Sequence, residues 1–189
     1  MLFRSEPVYL GTAKDEVDEI AALLVKGFET CDAVISTGGA SVGDYDATPA
    51  AMELAGCELL VRKLSMKPGG ACVYGVREGK LMFCLSGNPA AAIVNFHVVV
   101  GPSIKKLAGQ REFTHKTAVV TLADDFNKTG SEPRFLRGRL DLTGGEALMH
   151  ISEQGNAMLH ATIGCDVLAI IPPDSGKLRA GKRLQAYLL

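Results

Sequence analysis

The chain has 189 residues, 47% of them hydrophobic and 22% charged, with a formal net charge of -1 at pH 7. This length is enough to bury a core, and the near-neutral charge excludes the broad basic field that carries non-specific nucleic-acid binding. The five cysteines lie far apart and form no CxxC pair, which argues against a disulfide framework and against a zinc site.

The N-terminus, "MLFRSEPVYL", lacks the apolar run of a signal peptide. No segment of the sequence approaches the roughly 20 continuous apolar residues that span a bilayer. We therefore expect a cytoplasmic protein with neither a membrane partner nor a nucleic-acid partner.

The first predicted element is an amphipathic helix over residues 15–29, where apolar residues recur at helical spacing behind a run of acids. A short buried strand follows over residues 32–36, and then a glycine-rich loop. A second helix begins near Thr48 and Pro49, which supply a cap and a first-turn proline, and Gly56 ends it. Helix, strand, glycine loop and helix in succession predict an α/β layered fold.

Further along the chain, the pattern predicts a strand through "CELLVRKLSM", a hairpin turning at residues 77–80, and a long apolar helix introduced by Asn88 and Pro89. After residue 109, short alternating segments lie between Gly, Pro and Asp turns, which predicts a second, all-β unit. We therefore expect two domains, an α/β domain over residues 1–111 and a β-rich domain over residues 114–189.

The loop in "VISTGGASVGDYD" follows the carboxyl end of the predicted buried strand, where open α/β sheets usually bind ligands. Its glycines would let backbone N–H groups approach an anion, and its hydroxyl side chains could contact the same anion. The candidate residues are Ser36, Thr37, Gly38, Gly39, Ser41 and Gly43. Because the loop is neither a Walker loop nor a clear GxGxxG, a tight turn without a ligand is an equally good interpretation.

Asp44 and Asp46 lie immediately after this loop in the sequence. A carboxylate beside a phosphate is how proteins usually hold Mg²⁺, through one or two acids plus substrate oxygens and waters. Asp46 could instead be an acid that stabilises the dipole of the next helix. The four histidines are scattered without metal-ligand spacing, so none is assigned to a metal.

Two further patterns point to an anion. If the strand continues through "VRKLSMKPGG", Lys63 and Lys67 share one face, and two ammonium groups there would suit an anionic ligand. A solvated edge strand protected by lysines is the alternative. The segment "LSGNPAAA" repeats the order of strand end, glycine and helix start, so Gly87 and the Asn88 helix could form a second anion cradle facing the first.

In this order and at this spacing, "DAVISTGGASVGDYD", "RKLSMKPG" and "LSGNPAAAIVNF" resemble the molybdopterin molybdenumtransferase family, which includes the C-terminal domain of gephyrin. "FLRG" and "EQGNAMLHATIGCDVLAIIP" resemble that family's last domain. The resemblance implies a three-layer α/β/α molybdopterin-binding domain followed by a small all-β, barrel-like domain. Family members carry two N-terminal domains and an opening strand with a GDE turn, so we expect this α/β domain to be incomplete at its N-terminus.

The resemblance also implies an activity, namely insertion of molybdate into adenylated molybdopterin with release of AMP, assisted by Mg²⁺, in a possible homodimer. By matching position, the glycine loop would contact the pterin phosphates, Asp46 would hold the metal or help cleave the adenylate, and Lys63 and Lys67 would bind molybdate or phosphate. Asp15 matches an acid before the first helix, Gly87 and Asn88 match the second ligand loop, and Arg137 matches an arginine of the last domain.

The sequence departs from the family at Ser86, where a proline is usual, and near Asn156, where a serine is usual. The absence of the GDE segment favours a rival interpretation, a non-catalytic molybdopterin-binding or assembly module. A related α/β domain that acts on another nucleotide is a third possibility, against which the β-rich tail argues.

Overall fold

The computed structural model describes residues 5–40, 47–155 and 159–189. The chain divides into two compact units. The first comprises Met1–Leu64 and Gly69–Gln110, and the second comprises Ser65–Pro68 and Arg111–Leu189. The short segment Ser65–Pro68 therefore belongs to the second unit although it lies within the sequence of the first.

The first unit contains one four-stranded sheet and helices on both of its faces. The strands are β1 (Ala33–Thr37), β2 (Glu58–Val61), β3 (Cys72–Arg77) and β4 (Lys80–Leu85), and the helices are α1 (Val17–Thr30), α2 (Ala47–Leu54), α3 (Pro89–Asn95) and α4 (Gly101–Leu107). A π-helical segment, Phe96–Val100, joins α3 to α4. The strand order is β1-β4-β3-β2, in which β1 and β4 are parallel and the other pairs are antiparallel.

Strand alternation divides the core of this unit into two layers. Met82 and Cys84 of β4 pack on one side with residues of α1 and α2. Phe83 and Leu85 of the same strand pack on the other side with residues of the α3 region. Successive side chains of a strand point to opposite faces, so a strand buried on both faces requires a helix layer on each. This arrangement confirms the predicted three-layer α/β/α domain.

Local signals in the sequence position the turns of this unit. Glu78 and Gly79 form the β3–β4 turn with φ of 51° and 80°, as expected for a tight hairpin turn with two left-handed residues. The side-chain oxygen of Asn88 accepts hydrogen bonds from the backbone N–H groups of Ala90 and Ala91, and Pro89 occupies the first turn of α3. Both features were predicted from the sequence.

The predicted long strand through "CELLVRKLSM" is wrong beyond Val61, its fifth residue. Strand β2 ends at Val61, after an irregularity between Leu59 and Val61. The backbone N–H of Leu64 then donates to the carbonyl of Gly70, which closes a loop. Lys63 and Lys67 therefore do not share the face of a continuous strand.

The second unit is a closed five-stranded barrel, which confirms the predicted all-β, barrel-like domain. Its strands are β5 (Thr117–Leu122), β6 (Arg134–Asp141), β7 (Leu148–Ile151), β8 (Val167–Ile171) and β9 (Arg183–Leu188), in the order β5-β7-β6-β8-β9. A short 3-10 helix spans Leu159–Thr162. Leu136, Met149 and Val167 are among the fully buried side chains that fill the interior. Within the described ranges, no helix is long and apolar enough to cross a bilayer.

Asn95 is a buried polar residue that connects three parts of the first unit. Its side-chain nitrogen donates to the carbonyl of Gly69 at 2.7 Å, and its side-chain oxygen accepts from the Tyr74 hydroxyl at 2.7 Å. Burial raises the pKa of the Tyr74 phenol well above its usual range, so the hydroxyl keeps its proton and donates. The two bonds fix the start of β3 against the end of α3.

We expect Asn95→Leu to lower the free energy of unfolding by about 2–4 kcal/mol, because it leaves a buried hydroxyl and a buried carbonyl unpaired. Tyr74→Phe is the matched control, since it removes only one of the two bonds and should cost about 1 kcal/mol. Urea unfolding followed by far-ultraviolet circular dichroism measures both changes. Equal costs for the two variants would contradict the role given to Asn95.

Candidate functional site

The carboxyl ends of β1 and β4 hold the two glycine loops that the sequence singles out. These strands are parallel, with Thr37 opposite Leu85 in register, so both end at the same edge of the sheet. Gly38 and Gly39 leave β1 with φ of 94° and 62°, in the left-handed region that glycine adopts without steric penalty. The chain therefore turns sharply where a parallel sheet usually places its ligand.

Direct contacts join the two loops. The backbone N–H of Gly38 donates to the carbonyl of Leu85 at 3.0 Å, and the Cys84 thiol donates to the carbonyl of Gly38 at 3.2 Å. A Cβ atom added at Gly87 would lie 3.3 Å from the Cα of Gly38. A side chain at Gly87 would therefore crowd the first loop, whereas Gly38 favours glycine through its positive φ and not through crowding.

The hydroxyl groups at this edge differ in their surroundings. The Ser36 hydroxyl is buried and has no hydrogen-bond partner among the described residues, whereas Thr37 is exposed. A buried hydroxyl without a partner costs free energy in the absence of a ligand. The second half of the first loop, with Ser41, Gly43 and Asp46, lies outside the described residues.

The second loop offers fewer free donors than the sequence suggests. The side-chain oxygen of Asn88 already accepts the N–H groups of Ala90 and Ala91 at 3.1 and 3.4 Å. These are two of the donors at the helix N-terminus that an anion would use. The predicted anion cradle at this helix start is therefore weakened, while Gly87 keeps its position against the first loop.

The remaining predicted residues are spread over both units. Asp15 is exposed and precedes Glu16, which occupies the N-cap position of α1 without a capping hydrogen bond from its side chain. Lys63 is exposed in the first unit, and Lys67 belongs to the second unit. The Lys67 ammonium forms an ion pair with the Glu132 carboxylate at 3.0 Å. Sequence reasoning missed this pairing, and no local signal reveals it, because the partners are far apart along the chain.

Arg137 is the most unusual charged residue of the barrel. It is only 2% exposed, although arginine is almost never fully buried unless it is paired. One terminal nitrogen of the guanidinium donates to the carbonyls of Glu153 and Gly155 at 3.0 and 3.4 Å. The other terminal nitrogen and Nε are buried without a hydrogen-bond partner in the described parts of the chain. Burial lowers the pKa of this group.

A buried cation with unused donors is suited to bind an anion, because a guanidinium forms strong charge-assisted hydrogen bonds with oxyanions. The resemblance matched Arg137 to an arginine of the family's last domain, but nothing in the sequence indicated that this residue is buried. A separate cavity of about 320 Å³ on the barrel is lined by Arg139, His150 and Ser152 among others. None of the predicted site residues lines that cavity.

The resemblance also implies a bound Mg²⁺. Across the described ranges, no group of three or more His, Cys, Asp or Glu residues could hold a metal ion. The chain's own described residues therefore do not form a metal site.

Two family models match the chain and together cover most of it. The model described as "probable molybdopterin binding domain" matches residues 4–106, and the "MoeA C-terminal region (domain IV)" matches residues 119–189. The chain belongs to the molybdopterin molybdenumtransferase family. The first match covers the α/β unit with its two glycine loops, and the second covers the barrel with Arg137.

Relatives with this family's name show the same similarity. The molybdopterin molybdenumtransferase of Staphylococcus aureus strain Mu50 is 32% identical over 180 residues, which are 94% of this chain and 42% of that protein. The Bacillus subtilis strain 168 protein of the same name is 30% identical over 184 residues, covering 97% of this chain and 43% of its own. The chain therefore spans about two fifths of the length of these curated relatives.

Solved structures agree with the fold. The "molybdopterin biosynthesis moea protein" of Pyrococcus horikosii is 25% identical with a TM-score of 0.80, covering 97% of this chain and 44% of its own. A "molybdenum cofactor biosynthesis protein" of Pyrococcus furiosus has a TM-score of 0.77 at 22% identity, covering 100% of this chain and 60% of its own, and shows the fold alone.

Proposed function

We propose that the chain acts in molybdenum cofactor biosynthesis, inserting molybdate into adenylated molybdopterin with release of AMP. The observation that supports this most directly is the contact between the Gly38 turn and Gly87 at the carboxyl ends of two parallel strands. Such an edge presents backbone N–H groups to an anion without side chains in the way. The adenylated pterin is the anionic ligand that the family membership suggests.

In this proposal, the chain's residues bind and orient two anions. In the first glycine loop, the residues that would contact the pterin phosphates are Gly38, Gly39 and Gly43 with Ser36, Thr37 and Ser41. Gly87 and Asn88 would form the second ligand loop, and Asp15 would contribute to binding of the pterin ligand. Lys63 and Lys67 would bind the molybdate or phosphate oxygens. Within the barrel, the Arg137 guanidinium has N–H groups without a partner among the described residues, and these could bind an oxyanion.

Asp46 would hold Mg²⁺ or assist cleavage of the adenylate. When bound, Mg²⁺ would neutralise the charge on the phosphate oxygens as the adenylate bond breaks. Asp46 lies outside the described residues, and we derive no catalytic step from the ion. The proposal also places the protein in the cytoplasm, acting on small molecules, in a possible homodimer.

A non-catalytic molybdopterin-binding or assembly module is the second candidate. It is favoured by the ion pair that already occupies Lys67. An assay with adenylated molybdopterin and molybdate separates the two candidates. We expect both binding and molybdate-dependent release of AMP, whereas tight binding with no AMP release would establish the module.

Replacing Arg137 should change the affinity for molybdate and the stability of the fold in different ways. We expect Arg137→Met to weaken molybdate binding about tenfold or more, because charge-assisted hydrogen bonds are lost. The midpoint of thermal unfolding should stay the same or rise, because methionine removes a buried charge that is incompletely paired. Calorimetry and thermal unfolding measure the two effects, with Arg137→Lys as the charge-conserving comparison. A strong loss of stability in Arg137→Met would show that the guanidinium is structural.

A further inference from the structure

The ion pair between Lys67 and Glu132 is built into the barrel by backbone pairing. The N–H of Lys67 donates to the carbonyl of Pro133 at 2.9 Å, and the N–H of Phe135 donates to the carbonyl of Lys67 at 2.8 Å. Lys67 and Arg134 thus form a parallel bridge beside β6. Because this register is fixed by main-chain bonds, Lys67 is held next to Glu132, the residue before Pro133.

The two side chains of the pair are unequally exposed. The Lys67 ammonium lies 3.0 Å from the Glu132 carboxylate, and the Lys67 side chain is 55% exposed while that of Glu132 is 22% exposed. The lysine can therefore receive a dissolved anion from its open side. The carboxylate is mostly covered, so an anion that reaches the ammonium comes close to the negative charge of Glu132.

We infer that Glu132 is an internal competitor for Lys67, which lowers the affinity of this lysine for oxyanions and sets the concentration at which molybdate binds. This inference rests on the proposed function, in which Lys67 binds molybdate. An incoming dianion must displace the carboxylate or share the ammonium with it, and it meets repulsion from the negative charge of Glu132 in either case. Glu132 would thus influence substrate affinity without touching the bond that reacts.

Removing this charge should tighten the binding of molybdate. We expect Glu132→Gln to lower the dissociation constant for molybdate roughly two- to fivefold, the range that corresponds to breaking a partly exposed ion pair. The gain should shrink as the salt concentration rises, because exposed charges are screened. In turnover assays, the KM for molybdate should fall while kcat changes little. A structural role for Glu132 would produce neither the salt dependence nor the selective change in KM.

A matched control is available in the other unit. Glu53 pairs with Arg62 at 2.8 Å on the surface of the first unit. Neither residue belongs to the proposed site, so Glu53→Gln should leave molybdate binding unchanged. Glu53→Gln changes the net charge of the chain by the same amount as Glu132→Gln. It therefore shows whether the change in net charge alone tightens molybdate binding.

The experiment is isothermal titration calorimetry of the whole chain with sodium molybdate, for the wild type, Glu132→Gln, Lys67→Met and the double variant. We expect Lys67→Met to weaken binding and to abolish the gain from Glu132→Gln. If Lys67→Met weakens binding but Glu132→Gln does not tighten it, or tightens it equally without Lys67, the competitor role is overturned and the role of Lys67 stands. If Lys67→Met has no effect, the proposed role of Lys67 fails first.

Discussion

Asp46→Asn should abolish molybdate-dependent release of AMP from adenylated molybdopterin while leaving the binding of that ligand largely intact. Asparagine keeps the size of the side chain but removes the negative charge, and Mg²⁺ depends on one or two carboxylates for its few protein ligands. We expect a loss of at least about a thousandfold in kcat, because removal of an essential catalytic group commonly has an effect of this size. A quenched-flow or chromatographic assay of AMP measures the rate.

Asp44→Asn is the matched control, because it makes the same chemical change two residues earlier and should retain turnover. Stability provides a second control. If Asp46 only stabilised the dipole of α2, its replacement would cost about 0.3–1 kcal/mol and leave the rate unaffected. Unchanged AMP release in Asp46→Asn would remove Asp46 from the proposed mechanism, and equal losses in both variants would mean that the charge of the loop matters rather than one residue.

Much of the α/β unit could be predicted from local patterns. The hairpin at Glu78 and Gly79 and the cap at Asn88 were predicted because short-range chemistry determines them. The meeting of the two glycine loops follows from the parallel pairing of β1 with β4, and a sequence suggests such pairing only through its order of elements. The loops' ligand roles remain predictions.

The lysine segment shows where sequence reasoning is insufficient. "VRKLSMKPGG" has enough apolar and branched residues to resemble a continuing strand, yet β2 ends at Val61. The backbone of Lys67 instead pairs with Pro133 and Phe135 of the barrel. Pairings between distant parts of a chain depend on tertiary structure, which overrides local strand preference. Both lysines could therefore be singled out from the sequence. Their predicted placement on one face was wrong, because it depended on a strand that continued beyond Val61.

Arg137 shows the opposite case. Its position in "FLRG" could be matched to the family, but alternation along β6 only predicts that it points away from the barrel interior, opposite to Leu136. Its burial results from the segment around Glu153 and Gly155, whose carbonyls accept its hydrogen bonds. No periodic pattern in a sequence indicates which loop will cover a strand. The burial of the Arg137 guanidinium could therefore be found only in the structure.

Gly138→Ala should strongly destabilise the barrel. Gly138 lies on the face of β6 that it shares with Leu136, and that face fills the barrel interior. An added Cβ would lie 2.4 Å from the Met149 terminal methyl and 2.6 Å from the His150 carbonyl oxygen. The methionine can move, but the carbonyl belongs to β7, which is paired with β6 at this point. Strand separation is therefore required, and we expect a loss of about 3 kcal/mol or more.

Gly144→Ala is the matched control, because a Cβ at that position would meet no atom within 4 Å. Thermal and urea unfolding followed by circular dichroism compare the two variants. Adding Met149→Ala to Gly138→Ala should recover only part of the loss, since it removes the contact with the side chain and leaves the contact with the backbone. Full recovery in the double variant would mean that side-chain crowding alone makes glycine necessary, whereas partial recovery would show that the close approach of β6 and β7 requires it.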